Sequence, residues 1–114
     1  MSGDDAAMSG GAVASRAPTD EDRGRMRLHL QITGRVQGVF YRGAMQDEAR
    51  RHGIRGWVRN RVDGSVEAVL EGDAGAVRRV ADWARTGPPG ARVRDVVERQ
   101  EPEGDALVGF EIRH

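Results

Sequence analysis

The sequence predicts an α+β fold of split β-α-β-β-α-β order: an antiparallel sheet with two helices on one face and an extra strand at the C-terminal end. Three observations lead there. Apolar residues first alternate, as Leu28, Leu30 and Ile32 do. They then recur at helical spacing in two separate stretches. Between those stretches an Asp63-Gly64 step joins two extended runs, a strong tight-turn signal.

Taken in order, residues 1–25 are built mainly from Gly, Ala, Ser and Asp with one Pro. That is too little apolar side chain to offset the entropy of ordering them, so they are expected to form a disordered tail ahead of a domain over residues 26–114. The first strand starts at Met26, with Leu28, Leu30 and Ile32 on one face and His29, Gln31 and Thr33 on the other. A glycine-bearing turn leads into a helix marked by Tyr41, Ala44, Met45, Ala49 and His52, which Gly53 stops. Ile54 to about Arg61 and Ser65 to Glu71 then form a hairpin through Val62, Asp63 and Gly64. Asp73 suits the N-cap of a second helix whose inner face carries Val77, Val80, Ala81 and Ala84, with Trp83 at its margin. Gly87-Pro88-Pro89-Gly90 ends it. Two further extended runs, about Ala91 to Gln100 and Leu107 to Arg113, close the chain around a polar turn containing Pro102 and Gly104. Helices and strands in this split order give the ferredoxin-like sandwich.

Bulk composition narrows the function. The chain has 114 residues, room for one core rather than two. Its 18 basic residues are all Arg and are balanced by 18 acids. The acidic tail leaves the body only mildly positive, without the clear basic excess of a nucleic-acid binder. There is no Cys, which removes disulfides, thiolate catalysis and the usual structural zinc sites, and fits a reducing compartment. No apolar stretch approaches the roughly 20 residues that span a bilayer, and the N-terminus lacks the apolar core of a signal peptide. A cytoplasmic protein without membrane or nucleic-acid partners is expected.

The informative segment is GRVQGVFYR, Gly34 to Arg42, between the first strand and the first helix. Gly34 and Gly38 let the backbone approach a ligand, and the first helical amides have no internal partner. The helix dipole adds roughly half a positive charge, and Arg42 adds a full one on a planar fork that matches phosphate oxygens. Together these suit a phosphoryl group. In isolation a glycine-rich turn is often only a tight connection, and an arginine beside the positive helix end is unfavourable unless an anion belongs there. A second piece is GWVRN, Gly56 to Asn60. The helix descends about 18 Å at about 1.5 Å per residue, and the following strand climbs about 20 Å at about 3.3 Å per residue, so Asn60 returns to the level of Arg42. Its carboxamide, otherwise an ordinary turn residue, suits holding and aiming a water molecule.

GRVQGVFYR followed by GWVRNRVDGSVEA resembles the acylphosphatase signature, and Gly87-Pro88 followed by Val93 and Val96 is similar to that family's later pattern. The resemblance covers about residues 26–114. It implies hydrolysis of acyl phosphates, the mixed anhydrides of a carboxylic acid and phosphoric acid. It assigns phosphate binding to the loop of Gly34, Arg35, Val36, Gln37, Gly38, Val39, Phe40, Tyr41 and Arg42, and makes Arg42 and Asn60 the catalytic pair. It also implies that the substrate phosphate accepts the water's proton, with no covalent intermediate, metal or cofactor. The expected partner is a small acyl phosphate and the expected state a monomer.

The residue inventory agrees. Outside the tail Ser65 is the only serine, and His29, His52 and His114 are too scattered to suggest a triad or metal cluster. These histidines are read as structural, and Phe40, Trp57, Trp83 and Phe110 as packing residues. Asp47 and Glu48 point in different directions on a helix and form a solvated face. Gly43 costs a helix about 1 kcal/mol relative to Ala. Three rivals stand beside this reading: an RNA-binding ferredoxin-like module, a module handling carbamoyl phosphate for a larger enzyme, and a silent anion-binding protein. The first needs exposed aromatics on central strands, and the run Ser65 to Glu71 has none.

Overall fold

A computed structural model describes residues 24–102, 104 and 106–114; residues 1–23, most of the expected tail, lie outside the described residues. The elements are β1 (Arg25–Arg35), α1 (Tyr41–Arg51), β2 (Arg55–Asn60), β3 (Val66–Asp73), α2 (Ala74–Ala84), β4 (Arg92–Glu101) and β5 (Phe110–Arg113). The strands form one sheet in the order β4-β1-β3-β2-β5. Both helices bury their apolar faces against one side of it.

The alternation in β1 does what its period requires. Met26, Leu28, Leu30 and Ile32 are buried under the helices, while Arg27, His29 and Gln31 take the open face. From α1 come Tyr41, Met45 and Ala49; from α2 come Ala74, Val77, Val80, Ala81 and Ala84. Asp73 caps α2 as its residue type predicts, its Oδ2 accepting from the Ala76 amide at 3.0 Å. Tyr41 ties the two helices together, its hydroxyl donating to the Ala84 carbonyl at 2.6 Å. Burial raises the Tyr41 phenol far above its ordinary range, so it stays protonated and serves as a strut.

The central strand β3 carries two acids at buried positions on the open face, and each is met by three basic side chains. Glu67 lies 2.7 Å from His29 Nε2, 2.7 Å from Arg59 Nε and 3.1 Å from Arg61. Glu71 pairs with Arg25, Arg27 and Arg55. A buried carboxylate needs such partners, and the arginine stems in turn cover the strand. Burial alone would push the Glu67 carboxyl up; hydrogen bonds from His29 and Arg59 and their charge outweigh it and hold the pKa near about 2.

Where the last two runs go differs from an all-antiparallel reading. They do not pair with each other: β4 lies antiparallel to β1 at one edge, and β5 lies parallel to β2 at the other, so the sheet is mixed. The reason is which edges are free. β3 is flanked on both sides, so only the outer edges of β1 and β2 can accept new strands. Side chains hold β5 there. Phe110 is buried in the core, Gln46 donates to the Phe110 carbonyl at 2.9 Å, and the Arg113 guanidinium stacks 4.8 Å from the Trp57 ring centre.

Candidate active site

The β1–α1 loop is fixed at several points before it reaches the helix. At Gly34 the β1–β4 register shifts, and φ is 126°. A Cβ there would come within 2.2 Å of the Arg92 carbonyl oxygen, so only glycine fits. Val36 is fully buried and pins the loop to the core. Gln37 donates from Nε2 to the carbonyls of Arg61 and Ser65, each at 2.8 Å. Those carbonyls belong to the β2–β3 turn, itself closed by Asp63 Oδ1 accepting from the Ser65 amide at 2.9 Å and from its hydroxyl at 2.6 Å. Loop, turn and the end of β2 are thus braced as one unit.

Beyond Gln37 the backbone turns inward through Gly38, φ 76°. Among the described residues no amide from Gly38 to Gly43 has a backbone acceptor; the first to find one is Ala44, donating to the Phe40 carbonyl at 3.0 Å. The first turn of α1 holds no acidic residue. Unpaired amides at the positive end of a helix form a ready anion cradle.

Arg42 and Asn60 open on a single cavity of about 340 Å³ together with Val36, Gly38, Phe40 and Tyr41. Arg42 has no carboxylate partner among the described residues; its Nη1 lies 3.4 Å from His114 Nδ1. The Asn60 carboxamide makes no side-chain hydrogen bond there either, which leaves its donors and acceptor available. The remaining loop positions do not line this cavity. Gly34 forms the bulge, Arg35 is exposed opposite Arg92, Gln37 is the brace, and Val39 packs against the core.

Two features lay beyond the sequence reading. Ile112 and His114 line the cavity from the β5 side, although nothing in their local pattern distinguishes them from ordinary strand residues. Phe40 is a correction: it is not a packing residue but 70% exposed, the N-cap of α1, held in the left-handed region at φ 64°, ψ 25°. That conformation costs a non-glycine residue roughly 1–2 kcal/mol. Its ring lies over Gly43, where a Cβ would come within 2.2 Å of the ring edge. The helix-weakening Gly43 is therefore what admits the Phe40 ring.

The surrounding field favours anions. Arg35, Arg92 and Arg94 gather at this end of the sheet without acid partners among the described residues, whereas arginines elsewhere on the sheet pair with Glu67, Glu71, Glu101 or Glu111. Directly opposed like charges such as Arg35 and Arg92 are destabilising in a sheet unless something negative approaches.

Comparison with known proteins gives a consistent result. A family model described as Acylphosphatase matches residues 28–112. A protein named Acylphosphatase from Pyrobaculum arsenaticum is 63% identical over 87 residues, covering 75% of this chain and 92% of that one. The crystal structure of acylphosphatase from Bacillus subtilis superposes with a TM-score of 0.76 at 31% identity, covering 78% of this chain and 99% of that one. Full-length HypF in its phosphate- and nucleotide-bound form has a segment of the same fold, with a TM-score of 0.70 at 19% identity over 12% of its length.

Proposed function

The chain belongs to the acylphosphatase family and hydrolyses acyl phosphates, and from that premise we propose that the Gly34–Arg42 loop and the Arg42 guanidinium hold the phosphoryl group while Asn60 aims the attacking water. The observation that carries this reading is the shared cavity: Gly38 and Phe40 to Gly43, whose amides are unpaired, an arginine with no acid partner and an unengaged carboxamide all border it. Apart from the Arg42 contact with His114, these groups have no protein partner among the described residues and are open to a ligand.

The chemistry then asks little of the protein. The substrate is already an activated anhydride, so the work is to neutralise the phosphoryl oxygens and to align water with the leaving carboxylate. The water oxygen bonds to phosphorus, the bond between phosphorus and the acyl oxygen breaks, and the carboxylate leaves with its electron pair. The water's proton passes to a phosphoryl oxygen, giving a carboxylate and dihydrogen phosphate with charge conserved. No protein side chain needs to change protonation, and neither a metal nor a covalent intermediate is needed. We further infer that residues 26–114 carry the whole apparatus, and that the protein acts as a cytoplasmic monomer without a nucleic-acid partner; the cysteine-free, charge-balanced sequence supports the compartment and the absence of nucleic acid.

The test uses benzoyl phosphate at neutral pH with EDTA present, in water enriched in oxygen-18. Label appearing in phosphate and not in benzoate, at a rate unaffected by EDTA, is expected. Asn60→Ala should lower kcat about a hundredfold or more with little change in inhibition by inorganic phosphate. Label in benzoate, or a loss of phosphate affinity equal to the loss of turnover, would assign Asn60 another role.

A further inference from the structure

We propose that the Phe40 ring, seated on Gly43, is the acyl-binding platform of the active site and selects flat, apolar acyl phosphates, aryl ones above all. The inference rests on the seating of phosphate and water given above. An in-line displacement places the nucleophile and the leaving group on opposite sides of phosphorus. The surfaces bordering the cavity have two such sides. Asn60 also borders a groove over Arg59, Arg61, Val62 and Asp63. Phe40 also borders a groove of about 270 Å³ lined by Trp83, Pro88 and Pro89, to which Asn60 does not contribute. A water held by Asn60 therefore sends the acyl oxygen toward Phe40.

The local structure of Phe40 fits that use. A large aromatic that is 70% exposed gains little from its own burial, and it occupies a backbone conformation that phenylalanine rarely adopts. Gly43 leaves the space its ring edge occupies, and the ring borders both the anion cavity and the neighbouring groove. An exposed aromatic face beside the anion cavity offers offset stacking to an aryl acyl group and little to an acetyl group. Trp83 and the two prolines give the neighbouring groove an apolar wall, while Asp47, Glu48 and Arg51 line the rest of it.

The experiment compares kcat/KM for benzoyl phosphate and acetyl phosphate in the wild type, Phe40→Asn, Phe40→Tyr and Gly43→Ala. Asn tolerates the left-handed region while removing the ring, Tyr keeps the ring, and the Ala methyl at position 43 pushes the ring from its seat. Reading each variant as the benzoyl-to-acetyl ratio cancels any general loss from disturbing the loop. The ratio should fall roughly tenfold or more in Phe40→Asn and in Gly43→Ala, and be restored in Phe40→Tyr. A ratio unchanged within twofold in Phe40→Asn would overturn the platform. That failure is separable from failure of the catalytic assignment, because Arg42-dependent hydrolysis of acetyl phosphate by the wild type tests the cradle alone.

Discussion

Replacing Arg42 by Ala should cut activity by two to three decades and make the protein slightly more stable, a pairing of effects that follows from one geometric fact. Arg42 is the second residue of α1, beside unpaired amides and with no carboxylate partner among the described residues. A cation at the positive end of a helix opposes the dipole by about 0.3–1 kcal/mol, and Ala is the better helix former by a few tenths. The contact with exposed His114 at 3.4 Å returns little. The variant should therefore gain about 0.5–1 kcal/mol, a few degrees in Tm for a domain of this size. In the transition state the same guanidinium is a preorganised anion donor, so its loss should cost about 3–4 kcal/mol, two to three decades in kcat/KM. Urea unfolding with and without inorganic phosphate, beside hydrolysis of benzoyl phosphate, reads both. Phosphate at a hundred times its Kd should stabilise the wild type by about 2.7 kcal/mol and the variant much less. A variant less stable than the wild type without phosphate, or one retaining a tenth of its kcat/KM, would show that Arg42 is a structural residue and that the cradle is built around something else.

Two further outcomes follow from charges around the sheet. The folded pKa of Glu67, near about 2 against an ordinary 4.5, is depressed, so its contribution is complete above about pH 4.5 and lost as pH falls toward 2. With partly exposed partners this is on the order of 2–3 kcal/mol; Glu67→Gln should lower stability at pH 7 by about that amount and flatten the acid limb of the unfolding curve, and an unchanged limb would locate acid sensitivity elsewhere. Arg92→Gln combined with Arg94→Gln should leave kcat alone but reduce the fall in kcat/KM as ionic strength rises from about 0.01 to 0.15 M, over which the screening length shortens from about 30 to 8 Å. Equal salt dependence in wild type and variant would mean that these arginines do not attract the substrate.

Much of the fold and site is legible because it is written locally. Capping by Asp73, the alternation of β1, the Gly53 stop and the turn at Asp63 and Gly64 are each settled within a few residues by backbone sterics and short-range hydrogen bonds. The anion cradle is equally local, since a strand end, two glycines and a helix start are contiguous in the chain. Asn60 could be placed beside Arg42 because helix rise and strand rise are constants.

The sequence by itself thus determined the elements, the direction of their apolar faces and the polarity of the loop. Only the tertiary structure decided that β5 joins β2 in parallel and so brings Ile112 and His114 to the cavity. It decided that Gln37 locks the loop to a turn distant in sequence, that Glu67 and Glu71 are buried under arginines from neighbouring strands, and that Phe40 faces outward over Gly43. The physical reason is common to all four. Local geometry is set by each residue and its near neighbours, whereas strand partners, buried charges and the seat of an exposed ring depend on which edges and surfaces remain free once the rest of the chain has packed.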